Sequence, residues 1–280
     1  MNYTIQQIKR VYFTVLALNW FAVALPLPIF VLFMQGRGIN LFQLGVIMGL
    51  YSATIVLLEL PTGGLADAIG RKKVALAAHS IDVLASVVIF FSFSFWEFLL
   101  GMILIGIGRA LNSGALDAWY VDSLQTAEPA IDLQPALAQA GTATLLALGA
   151  GTLVGGALPT VFHGLPDEAS SLISPLSITL LASLCFRLAL LVVIAKAVHE
   201  PPRMEVNQAD WRSGFETVPK IVGDALQLTR QNRNLLLLMG ATLIGGFILA
   251  GAETFWQPRF AELLGGGTER SWSFGLVMAI

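Results

Sequence analysis

The chain has 280 residues, of which 56% are apolar and only 12% carry a charge. A soluble domain has about 25% charged residues, and half that fraction cannot coat a surface that faces water. The net charge of -2 gives no basic field, so we expect no nucleic acid partner. The single cysteine, Cys185, excludes an internal disulfide framework and a CxxC metal site. We therefore expect a lipid bilayer to surround much of this chain, and we expect no metal or other cofactor.

Long apolar windows follow one another along the chain. A helix that crosses the roughly 30 Å hydrocarbon core needs about 20 apolar residues. Seven windows are long enough, and an eighth starts near Ser271 and runs to Ile280. The seven windows cover residues 11–34, 41–60, 74–95, 97–120, 135–161, 173–198 and 234–256. Membrane β-barrel strands are shorter and alternate in polarity, so the sequence predicts an all-α polytopic membrane protein.

Basic residues are unevenly distributed between the two sides of these spans. With the N-terminus inside, eleven Lys and Arg residues fall on inner segments and three on outer loops. Basic loops tend to stay cytoplasmic, so we expect a cell (inner or plasma) membrane protein with its N-terminus in the cytoplasm. The windows divide the chain into a six-helix bundle (1–198), a cytoplasmic central loop (199–233) and a last part (234–280) with the seventh helix and part of an eighth. In the central loop, apolar residues at helical spacing predict an amphipathic helix along the membrane surface: Trp211, Phe215, Val218, Val222 and Ala225.

The short loop between the second and third spans combines glycines, one acid and three consecutive bases. The glycines permit tight turns, and the bases anchor the loop at the cytoplasmic face. The spacing resembles the signature G-x-L-A-D-[RK]-x-G-[RK]-[RK] of the major facilitator superfamily of secondary transporters. Ala68 stands where that family usually has a base. The matching residues are Gly63, Leu65, Ala66, Asp67, Gly70, Arg71 and Lys72.

Weaker matches to the same family fall in three later spans. Arg109 and Asn112 resemble its R-x-x-Q-G element, and residues 199–203 are similar to its P-E-S-P-R element. In the fifth span, Gly151, Gly155 and Gly156 resemble an element associated with exporters, with Thr152 in place of its proline. The resemblance implies a helical bundle made of the N-terminal six-helix half and the start of the C-terminal half. A complete member would need about four more spans, so we expect a fragment or a truncated chain.

Charged and polar residues inside the spans are the candidate site residues, because burying a charge in the bilayer costs several kcal/mol. Arg109 lies deep in the fourth span, and the resemblance implies a role in the substrate or proton pathway. Asn19, Asn112 and Glu253 are the other candidate cavity groups. Glu253 could also be a hydrated carboxylate at a helix end. The alternative for Arg109 is a buried arginine bonded to helix carbonyls or to a neighbouring acid.

The inner loop is a candidate gate that would stabilise one access state. We expect Asp67 and Arg71 to form a charge network with Asp117 or Asp122 at the inner end of the fourth span, in a loop shaped by Gly63, Gly70 and Lys72. The alternative is simple charge anchoring at the interface.

Other polar and small residues in the spans are expected to have structural roles. Asp82 and Arg187 lie at similar depth in the third and sixth spans, which predicts an ion pair. The resemblance implies that these two spans are neighbours away from the cavity, so we expect the pair to be structural. We expect His79 to be a polar residue between helices, with a proton relay as the alternative. Gly151, Gly155 and Gly156 are expected to allow close helix packing, and Pro26 and Pro28 to kink or unwind the first span.

The function expected from these features is proton-coupled export of small amphipathic molecules by alternating access. Because Thr152 replaces the exporter proline, an uptake symporter for a metabolite is the alternative. A non-transporting membrane protein is a further alternative of another class. The common hydrolase and phosphate-binding motifs are absent from the sequence, so we do not expect an enzyme.

Overall fold

The computed structural model describes residues 3–62, 65–166, 168, 170–200, 223–224, 227–265 and 268–279. The described segments form α-helices and one short 3-10 helix at Thr268–Arg270. The α-helices, numbered here in chain order, are α1 (Ile5–Ala24), α2 (Phe30–Gly36), α3 (Leu41–Thr62), α4 (Leu65–Ile69), α5 (Arg71–Phe91), α6 (Phe95–Asn112), α7 (Ala115–Ala127), α8 (Leu133–Val161), α9 (Ser177–Ala197), α10 (Arg233–Leu264) and α11 (Trp272–Ala279).

Side-chain caps determine where several helices begin. Thr4 and Gln7 form a capping box at the start of α1, and Ser94 and Glu97 form one at the start of α6. Each box satisfies backbone N–H groups that the first helical turn leaves without partners. For this reason α1 begins six residues before the first predicted apolar window.

Two predicted spans are each divided into two helices. The first is interrupted between α1 and α2, where Pro26 and Pro28 lie, as expected from the prolines. The fourth was predicted as one helix over 97–120, but α6 ends at Asn112 and α7 begins at Ala115. Gly114 has a φ of +75°, a left-handed conformation that glycine adopts without a steric penalty. The continuous fourth helix is therefore corrected to two helices that meet at a glycine.

The membrane assignment agrees with these helices. Within the described residues, six helices are long and apolar enough to cross a membrane. They cover Leu41–Glu59, Arg71–Phe91, Phe95–Ala127, Leu133–Val161, Ser177–Ala197 and Arg233–Leu264. The first predicted span is not among them, and its residues are shared between α1 and α2. The predicted amphipathic helix, with Trp211, Phe215, Val218, Val222 and Ala225, lies outside the described residues.

The helices enclose two apolar clusters at opposite ends of the bundle. α1 packs against α8 and α9, α5 packs against α6 and α9, and α3 packs against α6. One cluster joins the start of α1 to α7 and to the end of α9, around Trp119, Tyr120 and Leu190. The other joins α2 to the end of α5 and the start of α6, around Phe33 and Phe98. A cavity with both apolar and polar walls lies between the same helices.

Candidate functional site

The cavity has a volume of about 850 Å³, and its walls come from α1, α3 and α5 to α9. That volume is in the range of small-molecule sites, about 300–1,000 Å³. One part of the wall is aliphatic, for example Val15 and Ile55, and another part is polar, for example Asn19 and Thr144. The cavity can therefore accept a molecule that has both an apolar and a hydrogen-bonding face.

Arg109 reaches the cavity from the last turn of α6. Its Nη1 donates a hydrogen bond to the hydroxyl oxygen of Tyr51 on α3, at 2.9 Å. Asn112 lies one turn further along α6 on the same wall, and its buried Oδ1 has no hydrogen-bond partner among the described residues. A guanidinium and an open amide oxygen at this spacing can bind a polar group of a solute.

Two acidic side chains, Asp117 and Glu59, accept hydrogen bonds in the cavity near the α6–α7 junction. The hydroxyl of Tyr12 donates to Asp117 Oδ1 at 2.5 Å, and the Tyr12 ring stacks on Tyr120 with centroids 3.9 Å apart. Ser113 donates to Glu59 Oε1 at 2.8 Å. Asp117 is in the first turn of α7, where the helix dipole favours a negative charge. Asp117 therefore belongs to the cavity wall and is held there by a tyrosine.

Asp82 and Arg187 form the predicted ion pair, with 3.5 Å between Asp82 Oδ2 and Arg187 Nη1. His79 adds a third group, with Nδ1 at 3.4 Å from the same carboxylate oxygen. The expectation that this pair lies away from the cavity is corrected, because both Asp82 and Arg187 line it. At bilayer depth, charged groups avoid lipid by facing each other and a hydrated cavity.

The inner loop makes contacts within the first six spans. Arg71 pairs with Asp122 on α7 at 2.5 Å. Lys72 Nζ donates to the carbonyl oxygen of Ala195 at the end of α9, and the Lys72 backbone N–H donates to Glu200. Of the two acids predicted for the gate, Asp122 contacts the loop.

Two other members of this predicted gate are only partly described. Gly63 and the side chain of Asp67 lie outside the described part of the chain. Gly70 has a φ of +116° immediately before α5, so the turn requires glycine. The gate itself stays a prediction.

The three glycines of the fifth span lie where α8 touches other backbones. Added Cβ atoms at Gly151 and Gly155 would meet backbone atoms of Phe21 and Leu25, and one at Gly156 would meet the backbone of Gly275 on α11. Small residues permit such close helix contacts in membranes. The first six spans are therefore in direct contact with α11 through α8.

A glutamine joins α10 to the break in the first span. Gln257 is 3% exposed, its Nε2 donates to the carbonyl oxygen of Leu27 at 2.7 Å, and its Oε1 accepts from the N–H of Val31 at 3.1 Å. These backbone groups are not bonded within a helix, because the helix is interrupted there. Glu253, which was expected at the cavity, is instead exposed on α10 and is not part of the cavity lining. The reason is that α10 contacts the bundle mainly near its far end, at α2.

Arg37 is a structural residue that sequence reasoning treated only as a charge in an outer loop. It is 7% exposed, and its guanidinium donates to the carbonyl oxygens of Phe90, Ser92 and Leu172. It also lies over the rings of Phe33 and Phe93. Burial lowers the pKa of Arg37 to about 10. Phe33, four residues before Arg37, was the local signal in the sequence that could have indicated burial, whereas Phe93 becomes a neighbour only in the fold.

Long apolar helices around a cavity with apolar and polar walls define the class of the chain as a polytopic helical membrane protein. Residues 12–280 match the family description Major Facilitator Superfamily, and the chain belongs to this family. The members of this family are membrane transporters and not enzymes.

Solved structures show the same fold. The crystal structure of the nucleoside transporter NupG matches with a TM-score of 0.64 and 13% identity, covering 90% of this chain and 56% of that one. The NupG D323A mutant matches with a TM-score of 0.62, also at 13% identity, with the same coverage of 90% and 56%. The present chain thus spans a little over half of the length of these structures. No curated protein matches the sequence.

Proposed function

We propose that this protein is a secondary transporter that moves small amphipathic molecules across a cell membrane by alternating access, coupled to protons. The cavity carries the proposal, because its wall combines aliphatic side chains with Arg109, Asn112 and Asp117. Such a wall supports binding of a solute that has one apolar and one polar face. Substrate held between two halves at mid-membrane is how secondary transporters of this architecture work.

The contacts at one end of the bundle favour a state that opens to the cytoplasm. Gln257, Gly156 and Gly275 join α10 and α11 to the first six spans near the break between α1 and α2. The cavity lies on the other side of these contacts, towards the start of α1. With the N-terminus in the cytoplasm, as the distribution of basic residues predicts, this state faces inward.

Export is the proposed direction, and it follows from the resemblance of the glycine element in α8 to that of exporters. Uptake of a hydrogen-bonding solute is the second candidate. Two observations favour it: the fold is shared with a nucleoside transporter, and Thr152 replaces the exporter proline. The Thr152 hydroxyl donates to the carbonyl oxygen of Gly149 inside α8, so no proline interrupts this turn.

Transport in vesicles with an imposed pH gradient tests the proposal. The probes are the amphipathic dye Hoechst 33342 and radiolabelled uridine. Export predicts that the dye moves against the proton flow, and that Arg109→Gln abolishes this movement. Arg259→Gln is the matched control, because Arg259 pairs with Glu262 on the exposed surface of α10.

Each result has a defined meaning. Uridine that accumulates along the proton flow, with no movement of dye, would replace export by uptake. Dye movement that ignores the gradient, or that is equal in Arg109→Gln and wild type, would contradict the proposal. Failure of both probes to move would contradict it as well.

A further inference from the structure

A buried group of three ionisable side chains, His79, Asp82 and Arg187, joins α5 to α9 at the cavity wall, which Asp82 and Arg187 line. His79 is 2% exposed, and Asp82 and Arg187 are each 9% exposed. Both His79 Nδ1 and Arg187 Nη1 approach the same oxygen of Asp82, at 3.4 and 3.5 Å. Charges at this depth are costly, and in membrane proteins they mark ion and proton pathways.

The triad of these residues is incompletely satisfied. Charge-assisted N–H···O bonds are about 2.7–2.9 Å long, and both contacts to Asp82 are longer. His79 Nε2 and Arg187 Nε are buried and have no hydrogen-bond partner among the described residues. A purely structural ion pair would be expected to have its remaining polar atoms bonded. The triad can therefore accept a proton and form new hydrogen bonds.

The surroundings limit which groups can act on the triad. α6 contacts Asp82 through Gly108, because an added Cβ there would overlap the Asp82 carboxylate. α3 contributes Tyr51, which lines the cavity together with Asp82 and Arg187. Of the acids on α7, which also packs against α5, Asp117 is bonded to Tyr12 and Asp122 is paired with Arg71.

Tyr51 links the triad to the candidate substrate group. Its hydroxyl oxygen accepts a hydrogen bond from Arg109. Tyr51 lines the same cavity as both Arg109 and Arg187, so one tyrosine and two guanidinium groups share one cavity wall. A change of charge in the triad will alter how strongly Arg109 is held, and by linkage a solute at Arg109 will alter the triad.

We propose that the triad of His79, Asp82 and Arg187 is the binding site of the coupling proton and that His79 accepts it. Arginine is always protonated, so Asp82 has a permanently positive neighbour in Arg187. Imidazole is the side chain whose ordinary pKa lies between pH 5 and 8. The inference rests on the proposed function, because it assigns a site to the proton of that transport.

The step is a proton transfer between water and an imidazole nitrogen. A proton from cavity water adds to the ring nitrogen of His79 that carries no proton, so the net charge of the triad changes from zero to +1. The imidazolium then competes with Arg187 for Asp82, which releases Arg187 towards Tyr51 and weakens the bond between Tyr51 and Arg109. After access changes, the proton returns to water on the other side.

Driven transport and exchange separate this role from a structural one. In vesicles, His79→Asn should lower pH-gradient-driven movement of Hoechst 33342 by about tenfold or more, a typical coupling effect. Exchange of dye without a gradient should stay within about twofold of wild type, because exchange needs no net proton transfer. His163→Asn is the control, because His163 is exposed after α8 and its ring bonds, among the described residues, to the carbonyl oxygen of Thr160. It should leave both rates unchanged.

Direct titration gives an independent measurement. The chain has three histidines, so in protein with 15N-labelled histidine the NMR signal lost in His79→Asn belongs to His79. This signal should show protonation between pH 5 and 8. The midpoint should shift in the double variant Asp82→Asn/Arg187→Gln, which removes the ion pair without leaving one charge buried alone.

Two results would overturn the inference: a His79 that stays neutral from pH 5 to pH 8, or His79→Asn that keeps full gradient-driven transport. Equal loss of driven transport and exchange would also refute it, since that pattern indicates a structural defect. If the wild-type protein moves dye without regard to the gradient, the proposed function fails. The histidine titration then decides by itself whether the triad binds a proton.

Discussion

Replacing Gly155 with alanine tests the close contact between α8 and the end of α1. An added Cβ at Gly155 would overlap the carbonyl oxygen of Leu25 and would lie 2.7 Å from its carbonyl carbon and 3.0 Å from its Cα. All three are backbone atoms, so no side chain can rotate away to relieve the contact. α8 and α1 would have to separate.

The expected loss of stability in Gly155→Ala follows from a comparison with a second glycine of α8. Gly149 has no neighbouring atom within 4 Å of an added Cβ, so Gly149→Ala should stabilise α8 by about 0.5–1 kcal/mol. Gly155→Ala has the same gain in helix propensity, but it also has the steric cost of overpacking, about 1–3 kcal/mol. The difference between the two variants is therefore the cost of the clash. We expect its upper part, about 2–3 kcal/mol, because the opposing atoms belong to the backbone.

The free energy of unfolding in mixed micelles, followed by circular dichroism during SDS titration, measures this difference. Gly149→Ala serves as the matched control for detergent effects and for helix propensity. If Gly155→Ala were as stable as Gly149→Ala, the close approach of α8 to Leu25 would not exist in the folded protein, and the account of the glycine element as a packing surface would fail.

Two further predictions concern the end of the bundle near the break in the first span. Gln257→Ala removes both hydrogen bonds to the broken segment. A reporter cysteine, Ser271→Cys in a Cys185→Ser background, should then react faster with a membrane-impermeant maleimide than the same reporter does with Gln257 present. An unchanged reaction rate would contradict a closing role for Gln257. Arg37→Lys should lower the free energy of unfolding by about 2–3 kcal/mol, because an ammonium cannot replace a guanidinium that donates to three carbonyls and stacks on rings. Arg259→Lys, which alters an exposed ion pair, should change the free energy of unfolding by less than about 1 kcal/mol. Similar losses of stability in Arg37→Lys and Arg259→Lys would refute a stabilising role for the burial of Arg37.

The apolar windows predicted most of the fold because span length is a property of consecutive residues. The exact ends of the helices and the two interruptions depended on single residues, namely caps, prolines and a glycine. The prolines at 26 and 28 indicated the first break. Gly114 gave no comparable signal, since a glycine inside an apolar window is also common in continuous membrane helices.

The site was only partly predictable. Depth along a helix indicated that Arg109 and Arg187 needed polar surroundings, and depth also suggested Asp82 as a partner for Arg187. Which way each side chain faces depends on the rotation of its helix against its neighbours. For that reason Asp82 and Arg187 were expected away from the cavity that they line, and Glu253 was expected at a cavity that it does not line.

The sequence by itself determined the membrane class, the order of the spans and the family loop, since each of these depends on residues that are close together in the chain. The tertiary structure decided which distant groups meet: Tyr51 with Arg109, Gln257 with the broken first span, and Arg37 with three carbonyls. Polar groups in a bilayer have few partners and little water. Their pairing is therefore set by how the helices pack, which local patterns do not encode.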